Sequence, residues 1–447
     1  MRRAVAGVVA LGLLAFAVGW AVTRTDEAPS TPRAPDRAPE RLTIAPTSLV
    51  DLVARVPVFV RAPGPGTLEA TVTPRGEDPI SLTGAELSTS DVHAVQVGIP
   101  AGAARLLRAC RPARLSVVLR ARSGRVVARR SRTLAPQPPR CGRYFGPSAI
   151  WNQRVENAPL DPRSEQWVAD LANQVDENFA AKTPPTIATT EYSSPLYTVP
   201  ANQPRVPVKL VGSRAGFGKA VAAQLAEGVP IPAGARAGGG TDHQMVVWQP
   251  ATDTMWELWV AEKVKGRWTA QWGGRMDRAS RSRGYFFDPG GIHGGSTATS
   301  LTMAGGTITR ADLVRGEINH ALGMAIPRSR ANVWSYPAQR SDGQIDSVDA
   351  IPQGARFRLN PAFDVDALQA PAFVKLLARA AQRYGIYVRD TAPVVIFYAE
   401  DPASIGSDPW LKAMEPAAWE ILRSFPWREL QVTRTQLWTH SRQRVAR

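Results

Sequence analysis

The sequence predicts a mainly β, α+β protein in two parts: a small N-terminal β-sandwich, then a larger β-rich, catalytic-like module with several helices. Three observations predict this. Between Leu52 and Leu134 the apolar residues come in short, Val-rich runs broken by Gly, Pro and Asp, the spacing of a small antiparallel sandwich. A glycine-rich loop leads into two alternating runs within Met245–Ala261, which read as a hairpin. Helical spacing recurs at Glu165–Asn178, Thr309–Leu322, Ala372–Tyr384 and Pro409–Leu422.

The 447 residues exceed the usual span of about 100 to 200 per domain. Hydrophobic residues at 44% are enough for a sizeable core and exclude disorder as the dominant state. The net charge of +16 is a guanidinium excess, since only 7 of the 54 basic residues are Lys. Two Cys exclude a disulfide scaffold and any all-Cys zinc or iron–sulfur site.

The first element, residues 1–22, places Arg2 and Arg3 before the apolar run Ala4–Val22. As a helix this run would span roughly 28 Å, close to the thickness of a bilayer core. It reads as a signal anchor or signal peptide, putting the rest of the chain outside the cytoplasm, anchored by one helix or secreted. Residues 23–50, rich in Pro, Arg and Asp, read as a stiff polar linker.

Residues 51–144 form the expected sandwich, with strands at Val56–Val60, Leu68–Val72, Val95–Val97 and Leu115–Leu119. Pro57 cannot donate to a ladder, which suggests an edge for the first. In an oxidising compartment Cys110 and Cys141 are expected to pair as a disulfide. Residues 101–145 hold 12 Arg and no Asp or Glu. This bias reads as a solvated basic face, with an anionic wall polymer or lipid headgroups as the functional alternative. It lacks the interleaved aromatics of a nucleic-acid surface, and no nucleic-acid partner is expected.

Residues 145–434 hold every constellation suited to chemistry, followed by a basic tail at 435–447. Ser164 stands where it would cap the first helix, and Pro207 suggests an edge for the strand Val206–Leu210. Asp242 and His243 sit where the loop Gly238–Gly240 enters the hairpin. In its second strand a period of two puts Glu257 and Trp259 on one face, and a carboxylate there is hard to explain as a solvated residue. Trp268, Trp272, Arg275 and Asp277 follow, then a Gly-rich passage with His293 that reads as the rim of a cleft. Thr309 and Asp312 form a capping-box pattern opening a helix that carries Arg315, Glu317 and His320. Pro371 and Gly385 bound the helix Ala372–Tyr384, and strands at Ile386–Val388, Val394–Tyr398 and Leu430–Val432 complete a scaffold.

Asp242-His243, the strand of Glu257, Asp277 and the segment Gly316–Leu322 occur in that order along the chain. With Trp151-Asn152, Asp161–Ser164 and Tyr384-Gly385 they resemble a widespread group of exported bacterial proteins associated with the cell envelope. The resemblance spans residues 151–430 and implies a cell-envelope or polysaccharide context. The segment Gly294–Ala298 stands where that group is expected to carry a more apolar Ala-Gly-Leu-Pro-like stretch, which implies a different substrate or activity.

The favoured function is that of a carbohydrate-active enzyme, a glycoside hydrolase on a cell-envelope or extracellular polysaccharide. Glycoside hydrolysis needs one carboxylic acid and one carboxylate. The candidates are Asp242, Glu257, Asp277 and Glu317, with Glu257 as the acid, Asp242 or Glu317 as nucleophile or base, and His243 and His320 orienting them. Trp248, Trp259, Trp268 and Trp272 offer flat faces for sugar rings, and Arg275, Arg315 and His293 complete the expected substrate contacts. Three alternatives are set beside this. In a polysaccharide lyase, His243 or His320 would be the base and Arg275 or Arg315 would neutralise the substrate. A metal site would draw on His243, His293 and His320, whose spacing matches no short zinc motif, so no cofactor is expected. A non-enzymatic glycan-binding protein would keep the tryptophans. No Gly-x-Ser-x-Gly elbow and no phosphate loop occurs.

Overall fold

The larger part of the chain is organised by a six-stranded mixed sheet in the order Leu430–Val432, Arg356–Leu359, Ile386–Thr391, Leu322–Ile326, Ile396–Tyr398 and Thr186–Ala188. The period of two divides its residues between two cores. Ile386, Val388, Met324, Ile326 and Phe397 pack with Trp167 and Leu171 of the helix Ser164–Ala180 and with Phe373 and Leu377 of the helix Ala372–Tyr384. On the opposite face Tyr387, Ile396 and Tyr398 meet Val246, Trp248 and Met255. These last three belong to a four-stranded sheet ordered Trp272–Asp277, Thr254–Trp259, Met245–Gln249 and Leu196–Thr198. Its far face, through Met245, Val247, Trp256 and Leu258, packs on a small sheet containing Val208–Leu210 and on the helix Lys219–Ala226. Two sheets thus share a central core, each backed by further elements.

The computed structural model describes residues 41–44, 52, 58–74, 78–89, 92–95, 113–134, 144–212, 218–287, 294–416 and 418–439. The fold is mixed α/β, with several sheets and scattered helices. In the N-terminal region, a three-stranded sheet (Thr43–Ile44, Val58–Arg61, Val92–Val95) and a four-stranded sheet (Ile80–Leu87, Gly66–Pro74, Ala113–Arg120, Val126–Leu134) share one apolar cluster. Ala311 joins that cluster from the helix Arg310–Arg315 and Val314 packs against it, so these sheets lean on the rest of the chain. Residues 41–447 form one compact unit.

Several elements follow the sequence closely. The hairpin pairs Val246 with Glu257 and Val247 with Trp256, and the helix Ala372–Tyr384 ends at Gly385 with φ +77°. Val208–Leu210 is an edge strand. Thr309 Oγ1 accepts from the Asp312 amide at 3.2 Å while the Thr309 amide donates to Asp312 Oδ2 at 2.8 Å, closing the capping box.

Other elements differ. That helix stops at Arg315, because Gly316 takes the left-handed conformation (φ +70°), and Leu322–Ile326 is a central strand. Ser164 is the first helical residue, and its hydroxyl accepts from the Val432 amide at 2.8 Å. Pro416, which lacks an N–H and clashes with the preceding turn, divides the expected helix Pro409–Leu422 into Trp410–Ala413 and the 3-10 segment Ala418–Ser424. Val58–Arg61 lies in the middle of its sheet, not at an edge, and Pro57 is outside the described residues.

The membrane anchor, the membrane as partner and the anchored location are corrected. No helix among the described residues is long and apolar enough to cross a bilayer. The longest, Ser164–Ala180, has 17 residues and carries Glu165, Asp170, Asp176 and Glu177. The apolar run Ala4–Val22 falls outside the described residues. The disulfide is corrected likewise: none is found among the described residues, and Cys110 and Cys141 lie outside them.

Candidate functional site

A cavity of about 680 Å³ opens between the two large sheets. The four-stranded sheet and its loops bring Asp242, Gln244, Trp259 and Trp272; the six-stranded sheet brings Asp390, Thr391, Ile396 and Tyr398. Segments Gly295–Ala298 and Arg340–Asp342 close the sides, and Tyr192 stands at the wall. Glycine is required at Gly295 in this lining and at Gly240, which precedes the lining residues Thr241 and Asp242. At Gly240 (φ +77°) a Cβ would meet the Tyr192 ring at 2.9 Å, and at Gly295 (φ +95°) it would meet Phe286 at 2.6 Å. With no Cβ, Gly295 lies against the strand beneath, its amide donating to the Gly273 carbonyl at 3.1 Å.

Three carboxyl groups face this space. Asp242 Oδ1 accepts from the Trp259 indole N–H at 3.1 Å. Asp342 Oδ1 accepts from Gln353 Nε2 at 2.5 Å and from Thr391 Oγ1 at 2.8 Å. Asp390 is enclosed by protein and meets solvent only in part, through the cavity. Its carboxyl is pushed up to about 8 by desolvation and by the negative charges of Asp342 and Asp242, against the lowering effect of Arg389 and of the Ala298 amide at 3.3 Å. Tyr398, beside it, is pushed well up by burial.

Arg389 is wholly buried behind the cavity. Its guanidinium lies 4.3 Å from the Tyr398 ring centroid and donates to the Met303 carbonyl at 2.9 Å. Its positive charge also has a small lowering effect on the carboxyl of Glu257. Glu257 is fully buried under the floor. Burial pushes its carboxyl up, offset by hydrogen bonds from the Ala304 amide at 3.2 Å and the Ser296 hydroxyl at 3.0 Å. Ser296 lines the cavity, so Glu257 acts on it through one intervening residue.

The remaining sequence candidates lie elsewhere. Glu317 pairs with Arg383 at 2.9 Å, outside the cavity. His320 is buried, its Nε2 3.2 Å from Asp312 Oδ2, and Arg315 is held by the same Asp312. Burial alone would raise Asp312; His320 and Arg315 outweigh it and hold the group low. His243 is half-exposed, with Nδ1 3.2 Å from the Gly238 carbonyl oxygen. Trp248 and Trp268 are packed in the cores on either side of the four-stranded sheet. Arg275 and Asp277 pair with each other at 3.2 Å and line a second cavity. His293 is outside the described residues. Of the predicted side chains, the first cavity brings together Asp242, Trp259 and Trp272.

Sequence reasoning missed Asp390, Asp342, Arg340, Tyr192, Tyr398 and Arg389. For Arg389 a signal existed: a charged residue in the strand Ile386–Thr391 that the period of two puts on the face of Tyr387. Asp390 would fall with Val388 on the other face, and the register irregularity between Met324 and Ala325 opposite it gives no sequence signal. Asp342 sits in an irregular loop and gives no periodic signal. Among the described residues no group of three or more His, Cys, Asp or Glu is placed to hold a metal ion. No family model, curated protein or solved structure matches the chain.

Proposed function

We propose that this protein is a carbohydrate-active enzyme that hydrolyses glycosidic bonds of a polysaccharide in the cavity between the two sheets. The observation that carries the reading is Asp390, a carboxyl group held protonated near neutral pH beside two further carboxylates and two indole walls. Asp390 is the acid: its proton passes to the glycosidic oxygen as the C–O bond breaks. Asp242 is the base or nucleophile. It takes a proton from the attacking water or itself attacks the anomeric carbon. Desolvation keeps Asp390 protonated, and Asp342, fixed by Gln353 and Thr391, adds like-charge repulsion. Trp259 carries a sugar ring, while Trp272, largely buried in the core behind with the Arg340 guanidinium 5.9 Å from its ring centroid, backs the wall that Tyr192 completes. Neither His243 nor His320 lines the cavity, which favours hydrolysis over elimination by a histidine base. The N-terminal pair of sheets is read as a β-sandwich accessory domain to this catalytic module.

The test is reducing-end release from peptidoglycan, arabinogalactan, xylan and alginate by the wild type and by Asp390→Asn. The variant should lose at least about 100-fold in turnover while still binding the polysaccharide that the wild type cleaves. Full activity in Asp390→Asn, or release from none of the four polymers by the wild type, would overturn the assignment.

A further inference from the structure

The second cavity, of about 730 Å³, is unusually aromatic: Tyr285, Phe287, Trp334, Tyr336 and Trp438 all line it. They come from three separate segments, and the strand pair Val333–Ser335 with Leu437–Thr439 sets Trp334 directly opposite Trp438. Phe287 is 58% exposed. Tyr285 and Trp334 are themselves buried and form the base, while Phe287 stands exposed at the mouth; rings gathered at a surface opening mark a binding site. The same walls carry Arg275, Asp277, Arg283 and Gln339. Rings that take apolar C–H faces, interleaved with planar groups that donate to and accept from hydroxyls, suit a sugar chain better than a purely apolar ligand.

This cavity neighbours the first along two chain segments. The strand Trp272–Asp277 gives Trp272 to the first cavity and Arg275–Asp277 to the second; the loop that follows Tyr336 gives Gln339 to the second and Arg340 to the first. Trp272 and Arg275 are three residues apart on a strand, roughly 10 Å. We infer that the aromatic cavity is a distal subsite that holds a second stretch of the polysaccharide chain being cleaved between the two sheets. This rests on the catalytic reading of the first cavity, and it makes the substrate a polymer long enough to reach both.

Binding is measured in the non-hydrolysing Asp390→Asn background, by retardation in native gels containing xylan, arabinogalactan, alginate or solubilised peptidoglycan. Adding Phe287→Ala or Trp438→Ala should weaken apparent affinity about tenfold for the polymer that retards the parent. Phe287 lies largely in solvent, so its truncation leaves the core intact and keeps the test valid if Trp438→Ala misfolds. Unchanged retardation in Phe287→Ala, or no retardation of the parent in any gel, would overturn the subsite. Retardation that is lost in Phe287→Ala, with no reducing-end release by the wild type, would instead support a glycan site here and overturn the catalytic reading alone.

Discussion

The Thr391 hydroxyl donates a 2.8 Å hydrogen bond to Asp342 Oδ1, tying a loop carboxylate to the residue that follows Asp390 in its strand. This bond holds the negative charge that, with burial, raises Asp390. Thr391→Val keeps the shape of the side chain and removes the donor to Asp342, together with the bonds that the same hydroxyl makes with Gln353 Nε2 at 3.0 Å and Ser329 Oγ at 3.1 Å. The carboxylate of Asp342 is then fixed by Gln353 alone among the two side chains that now bond its Oδ1. Loss of one hydrogen bond to a charged group corresponds to about 1.5 kcal/mol, so kcat/KM should fall roughly tenfold. The alkaline limb of the pH–rate profile should move to lower pH, a shift that a purely structural role of Thr391 would leave out.

Asp390 itself ties activity and stability to pH in the same window. Its carboxyl titrates at about 8 in the folded chain, against about 3.9 when unfolded. The folded state therefore binds the proton more tightly, and the stability this group contributes is complete below about pH 4 and is lost as pH rises towards 8. An acid catalyst works while protonated, so activity should fall above about pH 8. Comparing melting temperatures of the wild type and Asp390→Asn from pH 4 to pH 8 isolates the stability effect. The wild type should lose ground steadily to the variant across that range, and parallel curves would count against the raised carboxyl.

How much of this was legible in the sequence varies with periodicity. Glu257 was singled out correctly as a carboxylate on the inner face of a strand, since a period of two is robust in a hairpin. Burial depth was not legible: the period tells which face a side chain joins, not whether that face meets a cavity or another sheet. Here the six-stranded sheet covers it, and Glu257 meets Ser296, Ala304 and the charge of Arg389 in place of substrate. The capping box and apolar spacing predict a helix through Glu317 and His320, whereas Gly316, in the left-handed conformation, terminates it before both. The Gly-rich rim was legible as loop, and Gly295–Ala298 does line the cavity. Asp342 reaches the site from a distant irregular loop, which local patterning cannot reveal.

Trp259 links recognition to chemistry, because its indole N–H donates to Asp242 Oδ1 at 3.1 Å while the side chain lines the cavity. Trp259→Phe retains an aromatic face and loses the donor, so the expected change is mainly in turnover, with kcat falling about tenfold. Trp259→Ala removes the face as well, and KM should rise by a further factor of about ten. Steady-state kinetics on the cleaved polymer separate the two effects. Equal KM values in the two variants would show that the ring does not carry substrate.

Glu257 provides the sharpest contrast with Asp390, since both are enclosed carboxyl groups near Arg389 but only Asp390 lines the cavity. Glu257→Ala leaves the Ala304 amide and the Ser296 hydroxyl without their acceptor. Leaving these buried donors unsatisfied costs about 1 to 3 kcal/mol each, readable as a lowered midpoint in urea unfolding. Glu257→Gln keeps an acceptor oxygen and similar volume, so its cost should be nearer about 1 to 3 kcal/mol. Because Glu257 supports the floor and does not exchange protons with substrate, the folded Gln variant should retain activity within about tenfold of wild type, whereas Asp390→Asn should lose at least about 100-fold. A Gln variant that is folded yet as inactive as Asp390→Asn would move the acid role from the six-stranded sheet to the hairpin.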